Sequence, residues 1–309
     1  MSDTIYDICC VGHITQDKVI NPDSTVYMPG GTAWYFSQAM QQLPVNYSLV
    51  TSVAPKEMVY VEQLQSFGIN VTALPGRGTV YFENSYAEDA NHRTQRVLQK
   101  ADSFNIEQLK GINAKIYHLG PLLADDFAPG LIEALSAKGL IALDVQGLLR
   151  KVEDTQVLAI DWAEKRELLP YIHTLKVNEH ELSVLTGQDD IRLGAILLAD
   201  MGIKEVVVTL GSEGSLIYAD KEFYTIPVFK PQVFRDATGC GDTYMAGYLY
   251  KRVKGASVIE AGTFASAMAG LKAGISGPFV GTEDEVIIRS NAPASVPLVV
   301  KLGTITNKK

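Results

Sequence analysis

The sequence predicts an α/β fold, a three-layer sandwich whose helices cover both faces of a mostly parallel central sheet, with a small antiparallel β sheet beside it. Two observations carry this prediction. Short β-branched apolar runs alternate with segments of helical spacing along most of the chain, which implies βαβ units. Two segments in the first third break that alternation with period-two patterning.

In chain order the strand-like runs are YDICCVGHI, YSLVTSV, IYHLGPLL, GLIALDV, TLKVN, EVVVTLG and SLIYA. Between many of them lie helical patterns such as EMVYVEQLQSFG, FAPGLIEALSAKG and RLGAILLADMG, each closed by a glycine able to cap it. The segments off the pattern are TQDKVINPDSTVYMPGG and GTVYFENSYAEDANHRTQRVLQK, the second holding the turn signal EDAN. They place small-sheet strands within 14–30 and 77–100. Such a sheet would suit a substrate lid, although patterning alone leans to a plain surface hairpin. No repeat, low-complexity tract or Pro/Ser-rich linker interrupts the chain, so residues 1–309 read as one domain with an excursion.

A chain of 309 residues with 47% hydrophobic residues can bury a large core. Its formal charge of −8 and its lack of any long Lys/Arg cluster argue against a general nucleic-acid or membrane-surface binder. A phosphate ligand would therefore be met locally, by backbone amides or metal ions. Cys9 and Cys10 are adjacent and Cys240 is remote, which gives neither a disulfide framework nor metal-ligand spacing. With an acidic start and no apolar stretch of transmembrane length, the sequence points to the cytoplasm.

The most informative stretch is DATGCGDTYMAG, Asp236 to Gly247. A helical pattern follows directly on TGCG, so Gly239, Cys240, Gly241 and Asp242 would supply the free N–H groups of a helix N-terminus. Those amides and the helix dipole form an anion site without any lysine. Asp242 is explained equally well as a plain cap. A carboxylate beside an anion site could also take a proton from an attacking hydroxyl. Known fingerprints are absent: there is no G-x-x-x-x-G-K-[ST] loop, and Gly239-Cys240-Gly241 lacks the last glycine of G-x-G-x-x-G. The missing dinucleotide pattern after the first strand counts against a dehydrogenase.

Four further features are ambiguous alone. In KVNEHELSVLTG, Asn178 and Glu181 stand one helical turn apart, where a carboxylate could hold hydrated magnesium or simply close a capping box. Thr209, Gly211 and Gly214 lie in VVVTLGSEGSLIY, a tight hairpin or a nucleotide loop. Gly30 and Gly31 precede an aromatic-rich helix, and Asp17 follows the first strand, where it could accept hydrogen bonds from substrate hydroxyls.

Taken together and in order, these elements resemble the ribokinase-like (PfkB-type) carbohydrate kinases over nearly the whole chain. Asp236-Ala237-Thr238-Gly239-Cys240-Gly241-Asp242 is similar to the family's D-T-x-G-A-G-D signature, with alanine at its second position and cysteine for the middle alanine. The resemblance implies a Rossmann-like αβα sandwich and an ATP- and magnesium-dependent kinase acting on a hydroxyl of a sugar or sugar-like acceptor. Asp242 would be the general base, and the amides of Gly239, Cys240, Gly241 and Asp242 the anion hole. Asn178 and Glu181 would organise magnesium and phosphate, largely through water; Thr209, Gly211 and Gly214 would meet the nucleotide. The resemblance also assigns Asp236, Thr238 and carbonyls of GLKAGISGP to a potassium site used by many members. At the acceptor end it assigns Asp17, Gly30 and Gly31, with a lid whose edge could pair two subunits.

Two positions depart from the pattern. Tyr35 stands where many sugar-binding relatives have asparagine, flanked by Trp34 and Phe36, and Gln146 replaces the asparagine of D-x-N-x-R. The acceptor thus stays open among ribose, fructose 6-phosphate, a nucleoside and inositol. The aromatic cluster favours an unphosphorylated ring. A non-catalytic binding relative is the other reading, which the intact glycines and Asp242 oppose.

Overall fold

A computed structural model describes residues 4–86 and 93–294. Strand β1 (Ile5–Gly12) enters the hairpin of β2 (Thr15–Asn21) and β3 (Ser24–Gly30), and α1 (Gly31–Met40) leads on to β4 (Tyr47–Val53). Next come α2 (Met58–Ser66), β5 (Asn70–Pro75), β6 (Val80–Tyr86), β7 (Arg93–Gln99), α3 (Ile106–Leu109) and β8 (Asn113–Gly120). Helix α4 (Leu131–Ser136), β9 (Leu140–Asp144), β10 (Arg150–Glu153) and β11 (Gln156–Ala159) complete the first half. The second half holds α5 (Lys165–Leu168), β12 (Thr174–Asn178), α6 (Glu179–Thr186), α7 (Ile191–Asp200), β13 (Glu205–Thr209), β14 (Ser215–Ala219) and β15 (Glu222–Ile226). It closes with α8 (Cys240–Val253), α9 (Val258–Ala273) and α10 (Glu283–Ser290).

The main sheet has nine strands in the order β15-β14-β13-β12-β9-β8-β1-β4-β5. From β13 to β5 every neighbouring pair is parallel, and only β14 and β15 join antiparallel. Strand β1 shows why the sandwich has two cores. Side chains alternate across a strand, and Ile8 and Cys10 pack with α1, α8 and α9 while Cys9 and Val11 pack with α4, α6 and α7. The adjacent cysteines thus serve opposite faces, and all three cysteines are free thiols.

A second sheet of six strands, in the order β10-β11-β7-β6-β2-β3, stands beside the first. It is antiparallel except where β2 pairs β6. Its β2, β3, β6 and β7 fall inside the two segments with period-two patterning, while EDAN lies outside the described residues. Strands β10 and β11 were not legible in the sequence, because RKVE and QVLA are too short to establish a period.

Helix α9 was also silent. Its Val258, Ala261, Phe264, Ala265, Ala267 and Met268 are buried around the circumference, so no single apolar stripe marks it. Against it packs α8, which carries the glycine stretch at its first turn. No helix among the described residues is long and apolar enough to cross a membrane.

Candidate active site

Parallel α/β sheets bind ligands at the carboxyl ends of their strands, and the candidate residues gather on that rim. Asp144 closes β9, Asn178 closes β12 and Thr209 closes β13, with Asn178 and Thr209 in register as neighbours. Gly12 ends β1, and the chain turns from there into Thr15 and Asp17 on β2.

The glycine stretch forms the first turn of α8. Gly239 is the cap residue, with φ +77°, a left-handed conformation that favours glycine. A Cβ there would also collide with the ring of Tyr35, which is buried against the loop. The N–H of Cys240 donates to the Ala237 carbonyl at 3.1 Å. The Gly241 and Asp242 amides lie in the first helical turn, where backbone N–H groups have no intrahelical acceptor and can receive an anion. The Cys240 thiol is pushed up to about 11, chiefly by burial, so it is a poor nucleophile near neutral pH.

Asp242 sits partly covered beside that turn, and its carboxyl is raised to about 6. Burial is the main cause, and the neighbouring Asp144 charge adds to it. Lys176 and a hydrogen bond from Thr32 pull the other way. A carboxylate poised this close to neutrality can exchange a proton at physiological pH.

Sequence reasoning passed over the centre of this charge cluster, Lys176. It is buried, and its Nζ lies 3.0 Å from Asp144 Oδ2 and 3.9 Å from Glu181 Oε2. Lys176 and Asp144 are register partners on adjacent strands, which sets their separation. These acids and Asp242 hold the ammonium firmly protonated, well above the usual lysine value, despite its desolvation. A Cβ on Gly241 would stand 3.5 Å from Nζ, so the charge lies just under the glycine turn. The available signal was a lysine inside the otherwise apolar TLKVN strand.

Asn178 and Glu181 form a reciprocal capping box at α6. Each side chain accepts the other's backbone N–H at 2.8 Å. Burial raises the Glu181 carboxyl, opposed by Lys176. Among the described residues no three acidic, histidine or cysteine side chains converge on a metal position.

At the other end of the rim, Thr15 Oγ1 donates to Asp17 Oδ1 at 2.6 Å. A Cβ on Gly30 would collide with Asp17 Oδ2, and one on Gly31, at φ +83°, would meet the His13 carbonyl. The glycine pair therefore lets β3 turn into α1 directly against the Asp17 carboxylate. Gly211 and Gly214 bracket a short turn whose ends are joined by the Leu210 N–H donating to the Gly214 carbonyl at 2.9 Å. Asp236 and Thr238 meet each other through Thr238 N–H to Asp236 Oδ1, at 2.9 Å, and Asp236 also meets the buried Lys272.

The family model described as pfkB family carbohydrate kinase matches residues 6–283. A cytidine kinase of Thermococcus kodakarensis is 28% identical over 258 residues, covering 79% of this chain and 88% of that protein. A nucleoside kinase of Methanocaldococcus jannaschii is 25% identical over 293 residues, covering 87% and 91%. A pyrophosphate-dependent kinase in the ribokinase family, solved with a pyrophosphate analog and myo-inositol, superposes with a TM-score of 0.82 at 25% identity, covering 91% of this chain and 99% of that one. The chain belongs to the pfkB family of carbohydrate kinases and is a phosphotransferase that acts on a hydroxyl group.

Proposed function

We propose that this protein is a magnesium- and ATP-dependent kinase that phosphorylates a hydroxyl of an unphosphorylated polyhydroxylated ring, a sugar, nucleoside or cyclitol. The single observation that carries this reading is the placement of the Asp242 carboxyl in the first turn of α8, beside that turn's amides and above the buried Lys176. Asp242 takes the acceptor proton as the hydroxyl oxygen attacks the γ-phosphorus in line, and the bond from that phosphorus to the β,γ-bridging oxygen breaks, so that ADP leaves. The amides of Gly239, Gly241 and Asp242 receive the charge that develops on the transferred group. The amide of Cys240 braces that turn through Ala237.

Asp17 accepts a hydrogen bond from an acceptor hydroxyl, in the space that Gly30 and Gly31 leave open. Tyr35, buried against Gly239, shapes the boundary between acceptor and phosphoryl group. Thr209, Gly211 and Gly214 meet the nucleotide at the ends of β13 and β14. Asn178 and Glu181 would hold a magnesium ion, whose charge would offset the excess of Asp144, Glu181 and Asp242 over Lys176. Magnesium, when bound, neutralises phosphate charge and aligns the donor.

The second sheet acts as a lid that excludes water from the reaction. Edge strand β3 exposes Val26 and Tyr27, which supports pairing of two lids in a homodimer.

Pyrophosphate as donor is a second reading, supported by the superposed pyrophosphate-dependent kinase. The test is a panel of ribose, fructose 6-phosphate, cytidine, adenosine and myo-inositol, each with magnesium and either ATP or pyrophosphate. Phosphorylation of an unphosphorylated ring from ATP is expected. Transfer from pyrophosphate alone would replace the donor, and preference for fructose 6-phosphate would overturn the acceptor class.

A further inference from the structure

Lys272 is fully buried in the last turn of α9, in the otherwise apolar run AMAGLKAG. A lysine ammonium is rarely desolvated completely unless its three donors are met. Here they are. Nζ lies 3.1 Å from the Asp236 carbonyl, 3.3 Å from the Ile275 carbonyl and 3.4 Å from Asp236 Oδ2. Two backbone carbonyls and a carboxylate converging on one point make an oxygen cage of the kind that holds a monovalent cation. The cage also joins the two segments, DAT and GLKAGISGP, that the sequence resemblance assigns to potassium.

The same carboxylate shapes the glycine turn. Asp236 Oδ2 and its carbonyl face Lys272, while Oδ1 accepts the Thr238 N–H at 2.9 Å, immediately before Gly239. The backbone of this segment is also tied to α9, since Arg235 N–H donates to the Ala273 carbonyl at 2.8 Å. The cluster is therefore continuous from the C-terminus of α9 to the N-terminus of α8. A potassium ion does not fit among these oxygens, because the ammonium already lies within hydrogen-bond distance of them.

We propose that Lys272 is a tethered replacement for the monovalent cation, a positioning residue that fixes the Asp236–Gly239 loop and makes the kinase independent of potassium. The lysine delivers the charge covalently, so the loop is held in shape at every potassium concentration. This rests on the proposed kinase reading for its consequence in turnover, but the cage itself can be read without any reaction.

The experiment compares wild-type protein with Lys272→Ala and Lys272→Met in potassium, sodium and tetramethylammonium chloride at constant ionic strength, by thermal unfolding and by turnover with the acceptor found in the panel. Wild-type melting temperature and kcat should be the same in all three salts. Lys272→Ala, which opens the cage, should lose roughly 100-fold in kcat through the misplaced loop and recover in potassium with saturation. Its melting temperature should rise with potassium but not with tetramethylammonium. Lys272→Met, which fills the space without a charge, should lose turnover and not recover. Saturable potassium activation of the wild type would overturn the proposal, as would a folded Lys272→Ala protein of undiminished turnover. A potassium-dependent melting shift in Lys272→Ala without kinase activity in any protein would sustain the cage and sink the kinase reading instead.

Discussion

The ring of Tyr35 occupies the space that a Cβ on Gly239 would need. The contact joins α1, which follows the acceptor-end glycines, to the turn that opens α8. Gly239→Ala suffers twice, from this collision and from φ +77°, where an L side chain costs about 1–2 kcal/mol. We expect a lower melting temperature and a loss of turnover exceeding about 100-fold for so small a misplacement at the loop. Tyr35→Ala combined with Gly239→Ala should recover part of the stability but little of the turnover, since the backbone angle is unchanged. A double-mutant cycle in thermal unfolding and kcat checks this; strictly additive stability losses would mean the ring and the glycine are uncoupled.

Asp242→Asn should lower kcat by roughly two to four orders of magnitude for loss of a general base, with nucleotide binding retained. The wild-type pH profile should climb as Asp242 ionises and level off above about pH 6, the value to which burial and Asp144 raise it. Stability runs in the opposite sense. A carboxyl raised from 3.8 to about 6 is harder to ionise folded than unfolded, so it lowers stability increasingly between those values and fully above the higher one. Asp242→Asn should therefore be more stable at pH 8 by up to about 3 kcal/mol, at 1.36 kcal/mol per pH unit. That advantage should fade toward pH 4. Denaturant unfolding at the two pH values measures it, and an equal difference at both would contradict the buried-carboxyl account.

Lys176→Met leaves Asp144 and Glu181 buried without their counter-charge, a loss of roughly 3–5 kcal/mol for one broken partner of a buried pair. Because Lys176 also pulls the Asp242 carboxyl down, the acidic limb of the activity profile should move to higher pH. The double variant Lys176→Met with Asp144→Asn should regain stability. A purely structural lysine would change stability and leave the pH profile where it was.

Cys240 should resist alkylation. Its thiol is raised from 9.0 to about 11 by burial, so at pH 8 its thiolate fraction is about 100-fold below that of an unshifted thiol. Iodoacetamide labelling followed by peptide mass mapping should find slow modification of the folded protein and normal reactivity after denaturation. Rapid labelling of Cys240 in the folded state would show that the loop opens.

Gly30→Ala places a methyl against the Asp17 carboxylate. The KM for the acceptor should rise at least about tenfold, the scale of one lost charge-assisted hydrogen bond, while the KM for the donor stays within error. Equal changes in both would remove Asp17 and Gly30 from the acceptor end.

The family fold was legible in the sequence because period is a local property. Alternation along ICCV and helical spacing in DTYMAGYLYKRV are written in consecutive residues, and the glycine stretch carries its backbone conformation with it. Asn178 and Glu181 were likewise readable as a capping box, being three positions apart. What the tertiary structure alone decided is which distant residues meet. Lys176 finds Asp144 across a strand register, Tyr35 finds Gly239 across two helices, and Lys272 finds Asp236 from the far end of α9. Each partner pair is separated by more than thirty residues, and a lone lysine in an apolar run gives no sign of its acceptor. Burial makes such a charge informative, because desolvation obliges it to find oxygens, and burial is fixed only when the chain has folded around it.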